Sequence, residues 1–255
     1  MPAPPLLPVL ALDTATETIA AGLHAGGAAF TLGAPGGALA STQLLPLLHT
    51  LLGRAGLHWR ELRAIAYGQG PGAFTGLRTA CAVAQGLGYG IGCRLLPLDS
   101  LLIVAEDARE QSAALGAWAA DGCEVAVAMD ARMDEAYAAR YRWQGGCWQV
   151  LQAPALYTLP ALNATWSGAS AQGLVAGSAL AAFGARLQLP AGWQRIGHEQ
   201  DRASALLRLA HRAAHSSEGV DPADALPLYL RDKVALTTAE RAAAKALATV
   251  DGSLR

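Results

Sequence analysis

The chain has 255 residues, of which 53% are hydrophobic and only 15% are charged. At about 150 residues per domain, this length predicts one large domain or two small ones. The composition excludes an intrinsically disordered chain, which requires low hydrophobicity and high charge. The net charge of −1 gives no basic excess for autonomous binding to the phosphates of nucleic acid.

The cysteines and the N-terminal segment indicate the compartment. Cys81, Cys93, Cys123 and Cys147 lie at least a dozen residues apart and form no CxxC pair. This spacing predicts buried thiols in a reducing environment, and neither a zinc site nor a disulfide framework. The apolar N-terminus has no basic residue, and no apolar run has the length of a transmembrane helix. We therefore expect a soluble cytoplasmic protein with no membrane contact.

The first half of the chain alternates predicted strands and helices. A strand at 9–12 ends at Asp13, and Gly26-Gly27 joins hairpin strands at 19–23 and 28–32. The next predicted elements are a helix at 42–52 capped by Ser41 or Thr42, a strand at 64–67, a glycine-rich loop at 68–72, a helix at 75–86, a strand at 93–98 and a helix from Ser100 to about 115. Such alternation favours parallel pairing beside the antiparallel hairpin, and hence a mixed sheet.

The pattern then starts again. LALDTATETIAA from Leu10 aligns without gaps with VAMDARMDEAYA from Val127, which places Asp13 and Asp130 at equivalent strand ends. A chance match of two alanine-rich segments and a duplicated two-lobe plan both explain this alignment. The remaining predicted elements are strands at 124–129, 135–143, 147–151 and 174–176, a helix at 204–215, a turn-rich linker at 222–227 and a final helix at 239–248.

The most informative stretch is the glycine-rich loop before the second helix. Backbone N–H groups at a helix N-terminus favour an anion. The loop nevertheless fails the P-loop pattern GxxxxGKS/T, because no lysine follows Gly76. It also fails the dinucleotide pattern GxGxxG that would begin at Gly70, because Thr75 stands at the last glycine position. Phosphate binding and a tight turn that packs the helix on the sheet both remain open.

Other polar residues give weaker signals. Asp13 and Asp130, at strand ends, suit either a magnesium ion or water in the cleft of an open sheet, or turn-forming Asx residues. His211 and His215 are four residues apart on a predicted helix, but HRAAH lacks the glutamate of HExxH and shows no third ligand. We therefore predict no metal site. The absence of a GxSxG elbow disfavours a serine hydrolase.

Four segments together resemble the TsaB (YeaZ) family: LALDTAT at the N-terminus, GPGAFTGLR at 70–78, MDARMDEAYAARY at 129–141 and PLYLRDKVALTTAER at 227–241. The resemblance implies a duplicated two-lobe α/β fold of the actin, Hsp70 and sugar-kinase type (ribonuclease H-like), with mixed sheets flanked by helices. The expected divisions are an N-terminal lobe at 1–112 with partner-binding helices, a C-terminal lobe at 113–226, and a strand and helix at 227–255 that return to the first lobe.

The resemblance also implies a non-catalytic subunit of the complex that makes threonylcarbamoyladenosine (t6A) in tRNA. In this family TsaB binds the catalytic paralogue TsaD, the ATPase TsaE docks on the pair, and contact with tRNA is indirect. The His-x-x-x-His metal ligands of TsaD have no counterpart at 98–104, which indicates that the chemistry is lost. The resemblance implies no cofactor in the isolated chain and leaves open ATP or ADP at a subunit junction of the complex, and a homodimer when the chain is alone. The alternative is a stand-alone enzyme of the same fold, either an ATP-dependent kinase or a metallopeptidase-like protein.

The resemblance further suggests which residues contact a partner, because family members associate through the two helices of the first lobe. Leucines on more than one face of the first helix indicate a second buried surface, and a deeply buried helix is the alternative. Arg78 opposes the dipole of its helix, which suggests a partner carboxylate or phosphate. The expected partner-binding residues are Leu44, Leu45, Leu48, Leu51, Leu52, Phe74, Arg78 and Gln85. The expected residues of the structural loop, or near a nucleotide, are Asp13, Thr14, Gly70, Pro71, Gly72, Thr75, Gly76, Asp130 and Arg132. No catalytic residue is expected.

Overall fold

A computed structural model of the chain describes residues 8–114, 121–168 and 172–231. The strands are β1 (Val9–Asp13), β2 (Thr18–Ala25), β3 (Ala28–Pro35), β4 (Ala64–Gly70), β5 (Arg94–Asp99), β6 (Cys123–Asp130), β7 (Glu135–Gln144), β8 (Cys147–Thr158), β9 (Gly173–Ala176) and β10 (Trp193–Ile196). The helices are α1 (Ala40–Ala55), α2 (Phe74–Ile91), α3 (Ser100–Ala114), α4 (Leu159–Trp166), α5 (Ala179–Phe183) and α6 (Arg202–Ser216). The predicted helix at 239–248, and most of the returning segment at 227–255, lie outside the described residues.

The strands form two mixed five-stranded sheets that share one topology. The first sheet has the order β3-β2-β1-β4-β5, and the second has the order β8-β7-β6-β9-β10. In each, the first three strands along the chain are antiparallel and the next two are parallel to the first. Because β1 and β6 hold the same position, the alignment of Asp13 with Asp130 reflects a duplicated plan. The expected two-lobe fold is confirmed.

Helices fill the space on both faces of each sheet. In β1, Leu10 and Leu12 face the core beneath α1 and α2, whereas Val9 and Ala11 face α6, as the two-residue period of a strand requires. Helix α6 packs on β1 and β2, and α3 packs on β6 and also against α6. Helices α3 and α6 therefore form a layer between the two sheets, and α4 and α5 cover the outer face of the second sheet.

Several predicted boundaries are wrong for local reasons. Helix α1 begins at Ala40, and the hydroxyl of Thr42 donates to the carbonyl of Leu39, 3.0 Å away, so neither Ser41 nor Thr42 caps the helix. The predicted loop at 68–72 is strand as far as Gly70, and β8 extends beyond the predicted strand end at 151. Helices α4 and α5 and strand β10 were not predicted, because four to eight residues carry too little periodicity.

Two further observations concern the thiols and the length of the helices. Cys81, Cys93 and Cys123 are buried as predicted, but Cys147 is exposed at the start of an edge strand, which corrects that expectation. Within the described ranges, no helix combines the length and apolar character that crossing a bilayer requires.

Candidate functional site

A cleft of about 1310 Å³ opens between the two sheets. On the side of the first lobe it is lined by the turn after β1, the loop before α2 and the start of α3. On the side of the second lobe it is lined by the turn after β6 and by Ser178. Segments 199–203 and 228–231 complete the wall. The carboxyl ends of β1 and β6 thus meet at the position where open α/β sheets usually bind ligands.

The carboxylate of Asp13 is fully buried beside this cleft and is engaged by side chains of the same chain. The Arg202 guanidinium donates to Oδ1 of Asp13 at 2.9 Å, and the Ser100 hydroxyl donates to Oδ2 at 3.1 Å. Burial alone would lower the pKa of Arg202, but the carboxylates of Asp13 and Glu199 outweigh burial and raise it. The charge of Asp13 is therefore neutralised internally by a cation that does not titrate at physiological pH.

Three glycines of the loop make room for the turn that follows β1. A Cβ atom on Gly68 would lie 1.7 Å from the carboxylate of Asp13, and one on Gly76 would lie 1.8 Å from the carbonyl oxygen of Thr14. A Cβ atom on Gly72 would lie 2.5 Å from the carbonyl oxygen of Ala15. The loop thus packs directly against the backbone of the same chain.

Hydrogen bonds fix this packing. The hydroxyl of Thr14 donates to the carbonyl of Gly76 at 2.7 Å, and the N–H of Ala73 donates to the carbonyl of Ala15 at 2.8 Å. Ala73 is the N-cap of α2, and its N–H is satisfied within the chain. The close contacts of the glycines support the tight-turn interpretation of this segment. Pro71 lies in the loop on the wall of the cleft. Thr75 follows the loop and lies in the first turn of α2.

The equivalent turn of the second lobe shares one hydrogen bond with the first, where the N–H of Ala15 donates to Oδ1 of Asp13 at 3.2 Å, but it differs in its backbone. Oδ1 of Asp130 accepts the N–H of Arg132 at 2.9 Å, which is an Asx turn, and the Ser178 hydroxyl accepts the N–H of Asp130. Arg132, Met133 and Asp134 all have φ between 57° and 64°, a region that side chains other than glycine seldom adopt. The Arg132 side chain is 81% exposed at the cleft. Asp130 and Arg132 therefore lie on the wall opposite Asp13.

The leucines of α1 do not form the expected partner surface as a set. Leu44, Leu48, Leu51 and Leu52 are buried in the core of the first lobe, so the expectation that they contact a partner is wrong. Their spacing serves packing on β2 and β3 along one face of α1, whereas the opposite face of the helix is exposed, so the alternative of a deeply buried helix does not hold either. Leu45 is 46% exposed and is the member of this set that remains available to a partner.

The expected residues on α2 already have contacts within the chain. The Arg78 guanidinium lies 3.8 Å from the centre of the Phe74 ring and donates to the Tyr229 hydroxyl at 3.0 Å. Among the ion pairs of the described residues, none involves Arg78. The Gln85 amide donates to the carbonyls of Pro222 and Ala225, so this side chain holds the 222–225 segment in place, and its role in partner binding stays a prediction.

Sequence reasoning missed Arg202, Glu199 and Ser100. Arg202 is 189 residues from Asp13, and neither a motif nor a spacing connects them. The only signal was the position of Arg202 after Asp201, which caps α6 by accepting the N–H of Ser204. That signal predicts a helix start but no ion pair.

The histidines of α6 have a third neighbour that the sequence did not indicate. The His24 ring, on β2, lies 4.4 Å from the ring of His211, which lies 4.5 Å from that of His215. The pKa of His24 is lowered mainly by burial and further by the nearby His215. The pKa of His211 is also lowered mainly by burial, and further by His24, His215 and Arg212. Across the described ranges, no group of three or more His, Cys, Asp or Glu residues is arranged to hold a metal ion.

Comparisons with known proteins agree with the topology. A sequence model of the TsaD family, described as tRNA N6-adenosine threonylcarbamoyltransferase, matches residues 39–239. The Escherichia coli tRNA threonylcarbamoyladenosine biosynthesis protein TsaB is 29% identical over 89% of this chain and 96% of its own length. The structure of YeaZ from Pseudomonas aeruginosa is 33% identical, covers 88% of this chain and 99% of its own, and superposes with a TM-score of 0.75. The chain therefore belongs to the TsaB (YeaZ) family.

Proposed function

We propose that this chain is a non-catalytic subunit in t6A biosynthesis that binds a TsaD-type partner and, through that pair, a TsaE-type ATPase. One relative and one family model support this proposal: the E. coli protein is called a tRNA threonylcarbamoyladenosine biosynthesis protein, and the matching family model is that of TsaD. Contact with tRNA would be indirect, since the net charge is −1.

The observation that carries the non-catalytic role is the pairing of Asp13 with Arg202. The carboxylate of Asp13 accepts three hydrogen bonds, from the Arg202 guanidinium at 2.9 Å, the Ser100 hydroxyl at 3.1 Å and the N–H of Ala15 at 3.2 Å. About one of its four acceptor sites is then left for a metal ion or a reacting water. General-base catalysis requires the base to reach the proton that it removes, and Asp13 is fully buried. The carboxylate thus supports the fold at the position where a reaction centre would lie.

The partner surface would lie on the outer side of α1 and α2. Three large apolar side chains are exposed there: Leu39 just before α1 by 48%, Leu45 on α1 by 46% and Tyr89 on α2 by 62%. Large apolar side chains exposed on adjacent helices are typical of a protein interface. A homodimer of the free chain would use the same surface and would be displaced by the TsaD-type partner.

The first experiment mixes the purified protein with the TsaD-type protein of the same organism and measures the mass of the complex by size exclusion with light scattering. We expect a one-to-one heterodimer. Leu45→Asp should abolish it, because a buried unpaired carboxylate costs several kcal/mol at an interface. Val150→Asp is the matched control, since Val150 is equally apolar and 60% exposed but lies on β8 of the second lobe. A complex that tolerates Leu45→Asp would contradict the placement of the interface.

The alternative is a stand-alone enzyme of the same fold. The cleft supports this alternative, because it is large enough to hold a small-molecule substrate. Stoichiometric binding of ATP with Mg²⁺ to the isolated chain, measured by titration calorimetry, would favour that alternative. If ATP binds only after the TsaD-type protein is added, nucleotide lies at a subunit junction. Failure to form any heterodimer would refute the subunit role itself.

A further inference from the structure

Residues 226–231, here called the strap, pass from the first lobe to the second at the wall of the cleft. The N–H of Leu228 donates to the carbonyl of Gln69 at 2.7 Å, which adds the strap to the end of β4. The Tyr67 hydroxyl donates to the carbonyl of Leu226 at 3.3 Å. Tyr229 packs on Phe74, with ring centres 5.1 Å apart. The first half of the strap is therefore fixed to the first lobe.

The other end of the strap is fixed to the second lobe by one side chain. The Arg231 guanidinium donates to the carbonyl of Ala131 at 2.8 Å and pairs with the Glu135 carboxylate at 2.8 Å. It also contacts the sulfur of Met133 at 3.2 Å. Arg231 is 14% exposed and Glu135 is 25% exposed, so solvent screens this pair less than a surface ion pair.

The turn that Arg231 holds has an unusual backbone. Three consecutive residues, Arg132 to Asp134, lie in the left-handed region, and such conformations persist where surrounding contacts over-determine them. Arg231 supplies these contacts from outside the second lobe, through the carbonyl of Ala131 and the sulfur of Met133. The strap thus couples the conformation of this turn to the position of the first lobe.

We propose that the strap is a latch that fixes the width of the cleft, with Arg231 as its anchor on the second lobe. The α3–α6 layer joins the lobes on the inner side of the cleft, and the strap joins them across its wall. Among the described residues, the α3–α6 layer and the hydrogen bond from Tyr141 to Asp99 still join the lobes when Arg231 is released, and the cleft then widens at its wall. This inference concerns motion within the chain and does not depend on the proposed partner.

The test measures the distance between the lobes by double electron–electron resonance. Spin labels are attached to Arg54→Cys on α1 and Ala182→Cys on α5, both exposed positions, in a Cys147→Ser background that removes the exposed native thiol. The other native thiols are buried. In the parent we expect one narrow distance distribution. Arg231→Ala should broaden it and shift it to longer distances.

Arg186→Ala is the matched control. Arg186 pairs with Asp134 of the same turn, but it lies within the second lobe, so its loss should leave the distribution unchanged. A distribution for Arg231→Ala that matches the parent would overturn the proposal. Equal broadening by both variants would also overturn it, because the turn alone would then set the distance. If Arg231→Ala does not fold, Arg231→Lys, which keeps the charge but loses the forked donors, should give a smaller shift, and no shift would refute the latch.

Discussion

At the residue scale, Asp13 is buried beside the cleft and its charge is balanced inside the protein by Arg202. Removal of one partner of a buried ion pair leaves the other charged and unpaired, which costs about 3–5 kcal/mol. We expect Arg202→Leu to lower the free energy of unfolding by about that amount. In the double variant with Asp13→Asn the loss should be smaller than the sum of the single losses, since neither charge then remains.

Urea unfolding of the parent, the two single variants and the double variant measures this coupling. Additive losses would mean that Asp13 and Arg202 stabilise the fold through separate contacts. The same variants test whether Asp13 has a structural role. Loss of a structural ion pair should lower the free energy of unfolding and leave partner binding of the folded protein intact. If the Arg202→Leu variant folds stably but no longer binds the partner, Arg202 lies in the interface instead.

Among the elements, helix α6 carries a pH-dependent contact with β2. Burial lowers the pKa of His24 and of His211 below the ordinary value of about 6.5, and His215 and Arg212 act in the same direction. The unfolded state therefore binds protons more tightly than the folded state. The contribution of these neutral imidazoles to the free energy of unfolding is fully present above about pH 6.5, and it is lost as the pH falls below that value.

We expect the free energy of unfolding to decrease between pH 7.5 and pH 5.5, and we expect a variant with His24→Gln and His211→Gln to decrease less. Chemical unfolding at the two pH values gives the comparison, and carboxylates that titrate in both proteins cancel in the difference. Equal pH dependence in both proteins would show that the two imidazoles are protonated as readily in the folded state as in the unfolded one.

The elements also show what the sequence could and could not predict. The spacing of the leucines predicted helix α1 correctly, but periodicity does not reveal how many neighbours surround a helix. Leu44 and Leu48 therefore looked available to a partner although they are buried. The glycine motif was located correctly, whereas its meaning depended on the turn 13–15, which lies more than fifty residues away. The contact of Arg202 with Asp13 has no local signal.

At the scale of the whole molecule, the α3–α6 layer packs against both sheets, so we expect the two lobes to unfold as one unit. Leu206 on α6 is fully buried against the first sheet, and α3 carries that layer to the second. Leu206→Ala should cost about 2–5 kcal/mol. Hydrogen exchange should show this loss in the amides of β1 and of β6 alike. A loss confined to β1 would mean that the lobes unfold separately.

The shared strand order of the two sheets has a consequence for the history of the chain. Duplication of one unit explains two halves with the same strand order, and the turns that face the cleft differ between these halves in backbone and in ion pairing. The turn after β1 now holds a neutralised acid, and the turn after β6 holds an open Asx turn in a left-handed backbone. One architecture can thus carry two differently built turns at a shared cleft.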